Sequence, residues 1–214
     1  MNNDTWTHRL ARFVIRPMLG TRVRPNHLTT LRLLTGLAAC LCLAVGPHQM
    51  RPGAFIFWGG MFWLISAFLD RMDGELARVG DMMSPGGHRY DYLVDNGLNC
   101  LFFLCVGIGL THTRYVGYPL HDWPLVLGIV ASVAMFLCNT MAERYEAQVP
   151  GERIIAGAWG FHADDALYLL APAAWFGLLP PILVGAAVGT SIIAVSFLVR
   201  LLRLPRQPST RLTA

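Results

Sequence analysis

Residues 54–110 read AFIFWGGMFWLISAFL DRMDGELARVGDMMSPGGHRYD YLVDNGLNCLFFLCVGIGL, two apolar runs joined by a connector rich in acid and glycine. The runs Ala54–Leu69 and Tyr92–Leu110 are of a length to cross a bilayer, whose hydrocarbon needs about 20 residues of helix. Asp70 follows directly on the first run, with Asp73, Gly74 and Ala77 three, four and seven residues beyond it. At 3.6 residues per turn these four share one face of a helix that carries the span on into the membrane interface. Asp91 and Asp95, four apart, share a face at the start of the second run. Two helices are therefore expected to present two carboxylates each, and Asn99 extends the second face by a turn as an intramembrane hydrogen-bonding group.

Outward from this segment the pattern repeats. Further apolar runs occupy Leu28–Val45, Pro124–Ala142, Ala166–Leu179 and Ile182–Leu202, so six spans are predicted. Breakers separate them: Gly46-Pro47 and Pro52-Gly53, Tyr118-Pro119 and Pro124, Pro150-Gly151, and the pair Pro180-Pro181, which reads as a tight hairpin. The whole 214-residue chain is 54% hydrophobic and only 14% charged, with mean hydropathy +0.46. Such a composition excludes an ordinary soluble domain. The expected class is an all-α integral membrane protein, with an interfacial segment over 1–25, a six-helix domain over 26–204 and a tail over 205–214.

The net charge of +4 comes from 17 basic residues, all of them arginine. With the N-terminus in the cytoplasm, only Arg51 and Arg114 fall in the outer loops. By the positive-inside rule both termini and the Asp-rich connector are expected to face the cytoplasm, which in a bacterium makes this an inner-membrane protein with its chemistry on the inner side. Arginine sits at the ends of apolar runs rather than along one soluble face, which suits lipid head groups and argues against nucleic acid. Between Thr5 and Met18, apolar Trp6, Leu10, Phe13, Val14 and Met18 alternate with Arg9, Arg12 and Arg16 at near-helical spacing. An amphipathic helix lying on the inner surface is predicted there. The first residues, through Arg24, carry too many charges for a secretory apolar core, so no cleavage is expected. Cys40, Cys42, Cys100, Cys105 and Cys138 all lie in apolar runs without paired spacing and read as packing residues.

Four clustered carboxylates repel one another unless cations balance them, and a membrane makes their isolation costly. Hard divalent cations do so with oxygen ligands, Mg²⁺ in particular combining a few carboxylates with water and substrate phosphate. A pair of such ions clamps the attacking and leaving oxygens of a displacement at phosphorus, so a phosphate ester or anhydride is the implied substrate. Gly74 and Ala77 leave room for a bulky ligand against the backbone, and Arg78 offers a fork for a phosphate. Ser84-Pro85-Gly86-Gly87 makes the turn between the two helices. Intramembrane acids also mark cation transporters, but here none lies deep within the other spans and no continuous path is visible.

The order Asp70-x-x-Asp73-Gly74-x-x-Ala77-Arg78, eight residues, Gly87-x-x-x-Asp91-x-x-x-Asp95 resembles at every position the signature of the CDP-alcohol phosphatidyltransferase family. Pro25-Asn26-His27-Leu28-Thr29, ahead of the first span, is similar to the family's Pro-Asn-x-x-Thr segment. The resemblance implies six spans, a homodimer and two divalent ions, Mg²⁺ or Mn²⁺. Asp70, Asp73 and Asp91 would hold the first ion, and Asp70, Asp91 and Asp95 the second, Asp95 also serving as catalytic base. Gly74, Ala77, Arg78, Ser84, Gly87, Asn26 and Thr29 would line the donor site. The implied reaction is transfer of a phosphatidyl group from a CDP-activated lipid, CDP-diacylglycerol above all, to an alcohol hydroxyl with release of CMP. A soluble CDP-alcohol donor with diacylglycerol as acceptor is the alternative.

The acceptor, an alcohol or an alcohol phosphate, is not marked by the signature. Arg144 and Arg153 between the fourth and fifth spans, and Arg200 and Arg203 at the end of the sixth, are the candidates for holding an acceptor phosphate. Positive-inside residues facing head groups would look the same. His162, Asp164 and Asp165 open the fifth span; one of them is a candidate to hydrogen-bond a polyol hydroxyl of the acceptor, though helix capping by Asp164 or Asp165 accounts for them more cheaply. Gly185, Gly189 and Ser191 of the last span offer a small-residue face for a partner helix or for packing within one subunit.

Overall fold

The computed structural model describes residues 6–148 and 163–203. The chain is all-α: α1 Trp6–Ile15, α2 Pro25–Val45, α3 Pro52–Val79, α4 Pro85–Leu110, α5 Trp123–Gln148, α6 Leu170–Trp175 and α7 Leu179–Arg203. Two-residue strands β1 (Arg114–Tyr115) and β2 (Tyr118–Pro119) pair antiparallel in the link from α4 to α5. Proline opens α2, α3 and α4 at the first turn, where its missing N–H has no helical partner to lose.

Five stretches are long and apolar enough to cross a membrane: Pro25–His48, Pro52–Val79, Pro85–Leu110, Trp123–Tyr145 and Leu179–Leu202. The fifth expected span, Ala166–Leu179, takes a different form. It begins as a 3₁₀ segment, Ala163–Leu169, continues as the short α6 and ends at Gly177, whose φ of +70° turns the chain toward α7. Trp63 Nε1 donates to Leu167 O (3.1 Å) and Tyr168 Oη to Ala67 O (2.9 Å), which pins this tighter helix across α3.

The core is organised around α2, which packs against both α3 and α4; α4 then packs on α5, and α5 on α7. Trp63 and Phe102 meet with ring centroids 4.2 Å apart, over Cys40, Leu43, Val106 and Leu183. Two glycines set the closeness of the crossings: a Cβ at Gly109 would lie 2.0 Å from Leu43 O, and one at Gly107 would lie 2.6 Å from Pro124 O. Outward faces carry Leu34, Leu41, Trp58, Val133, Phe136, Ile192 and Val195, all exposed, as a lipid-facing belt requires.

The N-terminal helix forms, but with a face the spacing alone did not indicate. Ala11 and Ile15 are fully buried with Leu69, Met72 and Leu76 of α3, whereas Leu10 and Phe13 stay exposed. The helix is thus docked on α3 along one side and leaves apolar side chains outward along another.

Candidate active site

The long helix α3 runs unbroken through the apolar run and the first half of the signature, so Asp70, Asp73, Gly74 and Ala77 do lie along one surface. It stops at Gly80, and Asp81 takes a left-handed φ of 51° while Met82 N–H donates back to Ala77 O (2.9 Å). That closure is how a helix commonly terminates, here with aspartate rather than glycine at the left-handed position. Ser84 then caps α4, its Oγ accepting from Gly87 N–H at 3.1 Å. The second helix therefore begins at Pro85, ahead of the apolar run, and Asp91 and Asp95 project from its second and third turns.

These elements close around an open cavity of about 330 Å³. Pro25, Asn26 and Thr29 of α2 form one wall, Asp70, Asp73, Gly74, Ala77 and Arg78 of α3 a second, and Ser84, Gly87, His88 and Asp91 of α4 a third. Every donor-side residue expected from the sequence lines it. Gly74 keeps its part of the wall open, since a Cβ there would meet only Arg78 Nη2, at 3.5 Å. Gly87 is close to both neighbours, its position lying within 3.2 Å of Asn26 Oδ1 and 2.9 Å of Ser84 Oγ for an added Cβ.

Asp70, Asp73 and Asp91 each bring a carboxylate oxygen within 4.8 Å of the others. Asp73 is almost wholly buried, at 3% exposure, and its Oδ1 has no hydrogen-bond partner. A buried carboxylate oxygen without a donor is costly, and two more carboxylates beside it make the deficit one of positive charge. The donor set therefore fits a hard divalent cation, all ligands being oxygen. Asp95 stands next to this trio, half-buried, with Asn99 Nδ2 donating to its Oδ1 at 3.0 Å, which is the intramembrane role expected of Asn99.

Two contributors escaped the sequence reading. Arg32 of α2, 4% exposed, reaches Asp70 Oδ1 (2.5 Å), Asp91 Oδ1 (3.0 Å) and Asp95 Oδ1 (2.5 Å). Its signal was present, as a charged residue one helical turn after Thr29 inside an apolar run. Glu75, 5% exposed, accepts from Arg78 Nη2 (2.9 Å) and lies 2.8 Å from His8 Nδ1 and 3.3 Å from Arg12 Nε, so it joins α1 to the cavity wall. Thr29 itself donates to Asp73 Oδ2 at 2.7 Å. Among the acceptor candidates, Arg144 and Arg200 are exposed near the ends of α5 and α7, while Arg153, His162 and the side chains of Asp164, Asp165 and Arg203 lie outside the described residues.

A multi-span helical chain whose acids and arginine face a cavity at the end of two spans defines an integral membrane enzyme acting on phosphate-linked substrates. The profile of the CDP-alcohol phosphatidyltransferase family matches residues 22–202, and the chain belongs to that family. It is a phosphatidyltransferase of phospholipid synthesis, transferring from a CDP-alcohol, in a family that uses divalent metals, and this sets aside the transporter reading. Among solved structures, the chain is similar to the phosphatidylinositol phosphate synthase of Mycobacterium tuberculosis with CDP-DAG bound. The two share 18% identity with a TM-score of 0.53 over 92% of this chain and 90% of that one, a likeness of fold. No curated protein sequence matches.

Proposed function

We propose that the donor is CDP-diacylglycerol and that its phosphatidyl group passes to an alcohol hydroxyl with release of CMP, at a site holding two divalent ions, Mg²⁺ or Mn²⁺. The observation that carries this reading is the convergence of Asp70, Asp73 and Asp91 around a buried, unpartnered carboxylate oxygen at the wall of a cavity large enough for a nucleotide. Capture of CDP-DAG by a protein of the same fold supports the same donor class. Asp70, Asp73 and Asp91 would hold one ion and Asp70, Asp91 and Asp95 the other. Bound there, divalent ions supply positive charge against the donor pyrophosphate and against the charge that develops on the departing phosphate.

The chain's own groups do the rest. Gly74 and Ala77 let the nucleotide lie against the α3 backbone, and Arg78 offers its guanidinium to a phosphate. Asn26, Thr29, Ser84 and Gly87 complete the donor wall with short polar groups and backbone. Asp95 takes the proton of the acceptor hydroxyl through the oxygen not held by Arg32 and Asn99. The acceptor oxygen then bonds to the lipid-side phosphorus as the bond to the CMP oxygen breaks, and CMP leaves with that electron pair. Arg144 and Arg200, exposed near the ends of α5 and α7, together with Arg153 are the candidates for holding an acceptor that carries a phosphate. Arginine asymmetry supports a cytoplasmic orientation for this end. Gly185 and Gly189 of α7 touch nothing within 4 Å at their Cβ positions, which leaves a small-residue face free for a second copy in a homodimer.

The test is CMP release by the purified protein with CDP-diacylglycerol, Mg²⁺ or Mn²⁺, and a panel of alcohols and alcohol phosphates. Metal-dependent CMP release with one acceptor is expected, and none after chelation. Activity only with a soluble CDP-alcohol and diacylglycerol would overturn the donor assignment.

A further inference from the structure

Glu75 occupies a position that the signature leaves open, one residue after Gly74. It lies behind the α3 wall of the cavity rather than in its lining, and a carboxylate buried there is costly unless both oxygens meet a donor or a cation. Both do. Oε1 accepts from Arg78 Nη2 at 2.9 Å and lies 2.8 Å from His8 Nδ1, while Oε2 pairs with Arg12 Nε at 3.3 Å. His8 and Arg12 stand one turn apart on α1, next to Ala11 and Ile15, which bury themselves against α3, so the docking of α1 delivers both to Glu75. Arg78 is half exposed at the cavity, and its Nε donates to Gly74 O at 3.1 Å. Two of its three guanidinium nitrogens are thus set by protein oxygens.

We propose that Glu75 is a positioning residue of the donor site, supported by α1: it orients Arg78, and Arg12 balances its carboxylate from behind so that the charge of Arg78 stays available to a donor phosphate. The proposal rests on the reading of Arg78 as a phosphate contact and names what makes that contact effective. A long, half-exposed side chain loses conformational freedom when it grips an anion, and one already oriented loses less. Glu75 supplies that orientation. Alone, however, it would also neutralise Arg78, since the pair sums to zero and an approaching phosphate meets the carboxylate's repulsion. Arg12, on the far oxygen, returns one positive charge to the group. Neither Glu75 nor Arg12 lines the cavity, so both act through Arg78 rather than on the donor. Residues 6–15 of α1 also precede the stretch matched by the family profile, 22–202, so this support comes from outside the shared domain.

The experiment titrates CDP-diacylglycerol into the full chain in Mg²⁺-containing mixed micelles without acceptor, reading Kd by calorimetry and following thermal unfolding of each variant. Arg12→Gln and Glu75→Gln are each expected to raise Kd by about tenfold, within the range for coupled members of one salt-bridge network. Arg12→Lys, which keeps the charge, is expected to bind nearly as wild type does. In an Arg78→Gln background neither Arg12→Gln nor Glu75→Gln should weaken binding further, because the residue they act through is gone. Arg12 is partly exposed, so its replacement leaves the core intact. A folded Arg12→Gln variant with wild-type Kd, or effects that simply add to that of Arg78→Gln, would overturn the positioning role and leave the donor site standing. A wild-type Kd for Arg78→Gln, or no binding of CDP-diacylglycerol by wild type, would overturn the donor reading itself, and the positioning role with it.

Discussion

A methyl group added at Gly74 separates what the helix needs from what the ligand needs. Gly74 lies within α3, five residues before its end, and the new Cβ would meet only Arg78 Nη2 at 3.5 Å, an ordinary contact. Nothing has to move, and alanine is favoured over glycine inside a helix by about 0.5–1 kcal/mol. Gly74→Ala is therefore expected to fold at least as well as wild type, with a small rise in the midpoint of thermal unfolding. The same methyl projects into the 330 Å³ cavity, on the wall where the nucleotide is proposed to lie against backbone. Holding the nucleotide off that wall is expected to cost about tenfold in donor affinity, roughly 1.4 kcal/mol. The loss should appear as a higher KM for the donor with kcat largely kept, because contact with the nucleotide is made in ground and transition states alike. Initial rates of CMP release across donor concentrations, with unfolding followed in the same detergent, read both effects from one preparation. A variant of wild-type or higher stability with an unchanged donor KM would refute the assignment of this wall to the donor.

Asp95→Asn is expected to lower turnover by about 10²- to 10⁴-fold, the usual worth of a general base, with donor binding largely retained; near wild-type turnover with intact metal content would show that Asp95 is not the base. Glu75→Gln weakens the shared anchor of Arg78, His8 and Arg12, so donor KM should rise and α1 should become more sensitive to protease, both measurable on one variant. Gly109→Ala would place a Cβ 2.0 Å from the backbone oxygen of Leu43, where no side-chain rotation gives relief. A loss of about 1–3 kcal/mol or more is expected from such overpacking, visible as a lower unfolding midpoint, and wild-type stability would mean that α2 and α4 do not cross so closely.

Five of the six expected spans, the unbroken α3 and the meeting of Asp70, Asp73 and Asp91 were readable from the sequence because they follow from periodicity along each helix and from the cost of charge near lipid. Arg32 was legible only as a charge inside an apolar run; its partners depend on where α2 lies relative to α3 and α4, and spacing along one helix carries no such information. Glu75 was hidden for a related reason. It occupies an unspecified position of the signature, and its burial comes from α1, far away in the chain. The segment before α6 resisted as well: its apolar residues suit a regular helix, whereas it forms a 3₁₀ turn tied to α3 by Trp63 Nε1 donating to Leu167 O and Tyr168 Oη donating to Ala67 O, contacts that spacing along the chain does not carry. The acceptor arginines stayed undivided from ordinary head-group residues, and Arg144 and Arg200 are simply exposed.

Arg32 stands earlier in the chain than any of the acids it serves. During synthesis, therefore, the guanidinium is made with α2 ahead of every carboxylate it pairs with. A rearranged gene encoding the same helices with α2 last would instead deliver the acids of α3 and α4 before their counterion. The order of the segments thus bears on biogenesis as well as on the finished site.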